Sequence, residues 1–142
     1  MAMNRVGILL SITFGYLLLT TVALVDGQSR KPNATAVNQF ETRCGWLSNP
    51  TPANIWLYDR EDEWTIGVQG GYQAEGEWEL PAFKPRQWVV TNAGSYGYGC
   101  ACLRLRADRE SHKVLEIKSA RARSLAACRQ DQSLKKWKQM FK

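Results

Sequence analysis

Apolar and polar residues alternate over short stretches in the middle of the chain, which is the period of half-buried β-strands. The clearest alternation covers residues 64–69 and 103–107, and shorter apolar runs occupy 55–58, 88–91 and 113–118. Charged or Gly- and Asn-rich segments separate these runs, as turns do. The pattern predicts a mainly β fold, a small antiparallel sheet of about four to six short strands, open or in a sandwich, with a small barrel of the oligonucleotide/oligosaccharide-binding type as second choice.

Residues 124–142 show the period of a helix instead. Leu134, Trp137, Met140 and Phe141 recur at helical spacing, with lysines around them. An isolated helix this short is only marginally stable in water, so it must dock on another surface or fray. We therefore predict a C-terminal helix that ends in a basic amphipathic tail, residues 132–142, and contact of residues 134–142 with a membrane surface is one use for it.

The N-terminal segment has the composition of an export signal. Arg5 precedes an uncharged apolar run over residues 6–25, and Asp26 and Gly27 end it. We predict a cleaved signal peptide at residues 1–27. The alternative is an uncleaved anchor, since about 20 apolar residues are just enough to span a bilayer. Residues 28–43 are polar, and we predict that they form a linker. The predicted β domain then covers residues 44–131.

All four cysteines lie after the predicted signal peptide, and an even number of cysteines in a small exported chain predicts two disulfides. A bond between Cys100 and Cys102 is disfavoured, because side chains two residues apart on a strand are too distant. Cys44 and Cys128 would each bond one of the central pair, and both connectivities stay open. The spacing does not fit a four-thiolate zinc site.

The position of the cysteines on their strand follows from parity. If the strand runs unbroken from Cys100, then Cys100 and Cys102 lie on the face of Arg104, opposite the leucines. The two disulfides would then cover that face, whereas a bulge after Cys102 would reverse the arrangement. On the returning strand, Leu115 and Ile117 are expected to share one face.

Charge is divided unevenly along the chain. Residues 28–102 carry a net charge of −2 and residues 103–142 a net charge of +8. Complementarity between the two halves explains this split, and a basic surface for an anionic partner is the alternative. Export and the lack of a recognisable stacking motif argue against nucleic acid. We expect a monomer.

The sequence offers little catalytic chemistry. His112 is the only histidine and lies in a turn beside Ser111, where adjacent residues do not form a nucleophile–base arrangement. We identify no catalytic, metal or cofactor site. The strongest enzymatic alternative is a glycan-cleaving site at Glu75, Glu77 and Glu79, which alternate around an aromatic residue.

Two segments are rich in aromatic, amide and Gly or Pro residues, at 44–54 and 91–100. Amphipathic aromatic rings on a stiff backbone make a good contact surface at low entropic cost. The predicted binding residues come mainly from these segments, and they are Trp46, Asn49, Asn54, Gln69, Asn92, Tyr96 and Tyr98. For Trp46, Tyr96 and Tyr98, core packing is an equally good explanation.

The blocks CGWLSNPTPANIWLYD, EWTIGVQGG and QWVVTNAGSYGYGCACL carry a resemblance to a known family. Together they resemble a bacterial exported family known as domain of unknown function 4087, over residues 44–131. The resemblance implies a small exported bacterial domain and no particular activity. The basic tail from Lys135 lies outside it.

These observations predict a periplasmic or secreted protein, or one held in the inner membrane by residues 6–25. We expect a non-catalytic binding module for a cell-wall glycan or for an envelope protein that it inhibits. The alternatives are the glycan-cleaving enzyme and a membrane-anchored structural protein of the envelope.

Overall fold

The structure is a computed structural model and describes residues 39–142. The predicted signal peptide or anchor and residues 28–38 of the predicted linker lie outside the described residues. Within residues 39–142, no helix is both long and apolar enough to cross a membrane.

Within residues 39–142, six strands and two short helices follow one another, and the predicted mainly β fold with a C-terminal helix is confirmed. They are β1 (Glu41–Thr51), β2 (Asn54–Asp59), β3 (Glu63–Gly67), β4 (Trp88–Val90), β5 (Gly97–Asp108), β6 (Lys113–Arg123), α1 (Leu125–Gln130) and a 3-10 helix, η1 (Gln132–Trp137).

Five of the strands form a closed ring. β1 pairs antiparallel with both β2 and β5, β2 pairs with β3, and β5 pairs with β6. The ring closes between β3 and β6, which are parallel at Thr65 and Lys113. A ring with an odd number of strands cannot alternate in direction throughout, so one parallel pair is unavoidable and the sheet is mixed. This arrangement corresponds to the barrel alternative, with β4 added along the end of β5.

The inside of the barrel is the main hydrophobic core. Its largest fully buried members are Trp64, Leu47, Leu57, Ile66, Leu103, Leu105, Ile117 and Val114. The predicted inward face of β5 is therefore confirmed. On β6 the expectation for Leu115 is wrong: Val114 pairs with Ala107, and Ile117 pairs with Leu105. The extra residue between these pairs is a bulge, and it brings Val114 inside in place of Leu115.

β1 is the strand that the sequence did not predict. It begins at Glu41, inside the predicted linker, and continues through Pro50 to Thr51. All residues from Gly45 to Asn49 are buried, because the barrel interior covers one face and the C-terminal segment covers the other. A strand buried on both faces loses the alternation by which strands are recognised.

A loop fills the space where β3 and β6 diverge. Gln73 of this loop forms an isolated β-bridge with Gly67, and Glu75 forms one with β6. The backbone of Glu75 donates a hydrogen bond to Leu115 and accepts one from Ile117. Gly76 follows with φ +107°, and a Cβ there would lie 2.2 Å from the carbonyl oxygen of Ile117. Only glycine allows this close approach.

The C-terminal segment, residues 124–142, packs on the outer face of the barrel. Leu125, Cys128, Leu134 and Phe141 are buried there against aromatic residues of β1, β2 and β5. The single predicted helix is instead divided into α1 and η1. The division occurs at Asp131, whose extended backbone ends α1 and whose side chain accepts a hydrogen bond from the Ser133 amide as the N-cap of η1.

Both predicted disulfides are present, in one of the two expected connectivities. Cys44–Cys102 joins residues that face each other across β1 and β5, and Cys100–Cys128 joins β5 to α1. Both bonds lie on the outer face of the barrel, as parity predicts. We call this the disulfide face.

Candidate functional site

Two of the predicted binding residues lie beneath the C-terminal segment. Trp46 is 2% exposed and stacks on Phe141, with ring centroids 5.3 Å apart. Tyr98 is buried against both rings, and its hydroxyl donates a hydrogen bond to the carbonyl oxygen of Lys142. Neither ring is a free contact surface, because both belong to the hydrophobic cluster between the barrel and the C-terminal segment.

The predicted amide residues meet at one end of the barrel and hold its turns together. Asn54 donates to the Thr51 hydroxyl at 2.6 Å and accepts from the Gln69 amide at 2.9 Å. In the amide orientation that satisfies both of its ends, Asn49 donates to the carbonyl oxygens of Thr51 and Asn54 at 2.7 and 3.1 Å. These contacts connect the β1–β2 turn to the end of β3.

A third amide, Asn92, connects the turn after β4 to the same end of the barrel. Its Nδ2 donates to the carbonyl oxygen of Pro50 at 3.1 Å, and its Oδ1 accepts from the Ala93 amide at 2.8 Å. Gln69 is exposed and Tyr96 is half-buried. The structure thus brings four predicted residues together as turn-stabilising groups, while Trp46 and Tyr98 lie elsewhere.

A buried ion pair occupies the opposite end of β1. Arg43 is 4% exposed, and its Nη1 lies 2.7 Å from Oδ2 of the buried Asp59. Its other nitrogens donate to Glu61 and Glu41, and the guanidinium lies over the Trp64 ring, 4.0 Å from the centroid. The arginine therefore closes this end of the barrel with its hydrogen-bonding capacity largely used.

The charges of this pair are fixed by their partners. Burial raises the pKa of Asp59, but amide donors of Asp62 and Glu61 and the Arg43 guanidinium outweigh it, so the pKa lies below its usual value. Burial lowers the pKa of Arg43, and its three carboxylate partners more than offset this. Both groups stay charged at neutral pH. Both pKa values are shifted away from neutrality, whereas a general acid or base needs a pKa near the working pH, so the pair fits a structural role.

The predicted acid cluster is exposed. Glu75, Glu77 and Glu79 all face solvent, and no hydrogen bond or ion pair of residues 39–142 joins them to one another. His112 is also exposed and stacks on Trp64, with its Nδ1 3.2 Å from a carboxylate oxygen of Asp62. Among the described residues, no group of three or more His, Cys, Asp or Glu side chains is placed to hold a metal ion.

A cavity of about 370 Å³ lies between the C-terminal segment and the barrel, and we call it the tail cavity. Its floor consists of the edges of four nearly buried side chains, Trp46, Cys128, Leu134 and Phe141. Four cations surround it: Arg129, Lys135, Lys138 and Lys142.

The electrostatic potential of the tail cavity is positive. Asp131 is the carboxylate among its lining residues, and that side chain accepts hydrogen bonds from the hydroxyl and amide of Ser133. These hydrogen bonds lower the pKa of Asp131 below its usual value, and the bond from the hydroxyl has the larger effect. The carboxylate is therefore ionised at neutral pH. Because the four cations form no ion pair with a carboxylate of residues 39–142, a net positive charge is left for a ligand.

A family model described as "Protein of unknown function (DUF4087)" matches residues 38–135. The chain belongs to this family. The match confirms the resemblance seen in the sequence and extends it to include all of β1 and the start of η1. Searches of curated proteins and of solved structures found no match to this chain.

The tail cavity lies at the boundary of the DUF4087 match. Lys135 is the last matched residue, whereas Lys138, Phe141 and Lys142 follow it. The sequence predicts that the basic tail docks on a surface or frays, but it leaves open which surface that is. It had no signal that the tail folds back over Trp46, because that contact depends on the tertiary arrangement of β1.

Proposed function

We propose that this DUF4087 protein is a non-catalytic binding module of the bacterial envelope, which holds an anionic cell-wall glycan at the tail cavity. The observation that carries the proposal is the cavity itself, with an apolar floor and four surrounding cations. Ligand sites combine such a floor with a few polar groups that fix orientation. Cations at the rim favour carboxylate or phosphate groups on the ligand.

The two disulfides and the N-terminal sequence support the envelope as the compartment. Disulfides persist in oxidising compartments such as the periplasm. The apolar run at residues 6–25 has the composition of an export signal. Protein purified from the periplasm should have the intact mass of a chain that begins at Gln28. Reduction of the two disulfides should raise this mass by four hydrogens. A full-length mass in the membrane fraction would support the anchored alternative.

Cosedimentation with purified peptidoglycan tests the binding proposal. Stem peptides of peptidoglycan carry carboxylates, and neutral chitin serves as the uncharged comparison. We expect binding to peptidoglycan and little to chitin, with affinity that decreases as salt increases. The double variant Lys135→Glu/Lys138→Glu should reduce binding roughly tenfold or more, because two attractive contacts become repulsive.

The matched control reverses two exposed charges on another loop, Lys84→Glu/Arg86→Glu. It changes the net charge equally and should leave binding close to that of the wild type. Equal losses in both variants would mean attraction by net charge alone and would contradict a defined site. Absence of binding to peptidoglycan would also contradict it, and capture of an envelope protein through the same lysines would favour the inhibitor alternative.

The enzyme alternative is tested with the same material. Release of soluble glycan fragments by the wild type, lost in Glu75→Gln/Glu77→Gln/Glu79→Gln, would favour a glycan-cleaving enzyme. The exposure of all three carboxylates favours binding, since a catalytic acid needs an environment that raises its pKa.

A further inference from the structure

We propose that the ligand is a linear polyanionic glycan that extends from the tail cavity, across the disulfide face, to exposed guanidinium groups on β5 and β6. This inference rests on the proposed function and adds to it a second set of contacts, which a single charged sugar would not reach.

A second cavity connects the two sets of contacts. It has a volume of about 230 Å³ and is lined by sulfur-bearing residues of both disulfides. Cys128, Asp131 and Leu134 line this cavity as well as the tail cavity, so the two are adjacent. Arg123 lines it on the β6 side.

Two further arginines continue from Arg123 along the outer face. In the register of β5 and β6, Arg123 faces Cys100, Arg121 faces Cys102, and Arg104 follows two residues beyond Cys102. All three arginines are exposed. Residues two apart on one strand lie about 7 Å from each other, so the three arginines form a row that begins at the second cavity with Arg123 and leads away from it.

The cations of this row lack carboxylate partners, which distinguishes them from Arg43, Arg106 and Arg109. Arg43, Arg106 and Arg109 all form ion pairs with glutamate or aspartate. Arg104 and Arg121 form no ion pair with any carboxylate of residues 39–142, and nor does Arg123. A row of unpaired like charges matches a ligand with repeated negative charges.

The absence of exposed aromatic rings on this row favours a glycan chain over single-stranded nucleic acid. Nucleic-acid surfaces stack successive bases on exposed aromatic rings beside a basic groove. Trp46 and Tyr98, which pack with Cys100 and Cys128, are buried beneath the C-terminal segment, and the half-buried ring of Phe40 is already contacted by Arg106 and Lys118. The row can therefore neutralise a charged backbone, and it adds no free aromatic ring for base stacking.

Ligands of different length separate this inference from the proposed function. Digalacturonate and polygalacturonate carry the same carboxylate on every sugar, and their affinities are measured by calorimetry. Lys135→Glu/Lys138→Glu should weaken binding of both. Arg121→Glu/Arg123→Glu should weaken polygalacturonate roughly tenfold or more and leave digalacturonate within about twofold of the wild type. The control is again Lys84→Glu/Arg86→Glu.

The outcomes decide the two proposals independently. If only Lys135→Glu/Lys138→Glu weakens binding of polygalacturonate, the inference of an extended ligand is overturned and the tail cavity remains the proposed site. Unchanged binding in both charge-reversed variants overturns both proposals, and so does equal weakening by the control. Tighter binding of a single-stranded oligonucleotide than of polygalacturonate overturns the glycan assignment. Because Arg123 lies 3.9 Å from a disulfide sulfur, Arg104→Glu/Arg121→Glu repeats the test away from the second cavity.

Discussion

Removal of the guanidinium that closes the barrel should leave a buried carboxylate without its cation. In Arg43→Met, the apolar stem is largely retained, whereas the guanidinium over the Trp64 ring is lost. Asp59 keeps its hydrogen bonds from the amides of Glu61 and Asp62 but loses the ion pair at 2.7 Å. The variant therefore removes the charge and its ring contact while keeping most of the side-chain volume of the stem.

The expected loss follows from the burial of both partners. The side chains of Arg43 and Asp59 are 4% and 3% exposed. In Arg43→Met, the buried carboxylate of Asp59 therefore loses its cation without gaining contact with water. Breaking a buried pair from one side costs about 3–5 kcal/mol, a large share of the roughly 5–15 kcal/mol of a whole domain. The same substitution at Arg109, which is 60% exposed, should cost less than about 1 kcal/mol.

The loss should depend on pH with a defined sign. The pKa of Asp59 lies below its unfolded value, so its pairing stabilises the fold above that value and the benefit disappears as pH falls through the folded pKa. In Arg43→Met, burial raises the pKa of Asp59. The deficit should be largest at neutral pH and shrink as pH falls below about 4, because Asp59 is then protonated in both the folded and the unfolded variant.

Urea unfolding followed by tryptophan fluorescence measures these free energies. The double variant Arg43→Met/Asp59→Asn should recover much of the loss, because it no longer buries an unpaired charge. A loss below about 1 kcal/mol at neutral pH would refute the reasoning, since a solvated pair is worth no more than that. A deficit independent of pH would show that packing, not charge, was removed.

Two further predictions concern the C-terminal segment. Phe141→Ala should lower the free energy of unfolding by about 3–5 kcal/mol, because its ring is 4% exposed among aromatic neighbours, whereas Met140→Ala, 56% exposed, should change it by less than about 0.5 kcal/mol; equal effects in urea unfolding would contradict the docked arrangement. Cys100→Ser/Cys128→Ser should cost about 3.5 kcal/mol from loop entropy across 28 residues, and an unchanged urea midpoint would mean that apolar contacts alone hold α1.

The sequence predicted those strands whose two faces have different surroundings. In β3, Trp64 and Ile66 face the core, and the residues between them are less buried, so alternation is visible. β1 escaped prediction because its residues from Gly45 to Asn49 are buried on both sides. The bulge that places Val114 inside also left no local signal, since it is set by pairing with β5.

For the candidate site, composition was a weaker guide than position. Asn49 and Asn54 were chosen for amide chemistry, and they use it to hold turns within the barrel. For Trp46 and Tyr98 the sequence left a contact surface and core packing equally open, and Phe141, far along the chain, packs on both rings and places them in the core. Which aromatic ring is free depends on this long-range contact, which no local pattern encodes.

The bond between β1 and β5 has a consequence for oxidative folding. Cys100 and Cys102 lie on one face of β5, so a slip of β1 by two residues would place Cys44 opposite Cys100 while every side chain kept its side of the sheet. Cys102 would then be left for Cys128, and the inside-outside pattern would not oppose the error. The alternation of inward and outward side chains therefore does not by itself exclude a competing disulfide isomer, which thiol–disulfide exchange can convert to the native one.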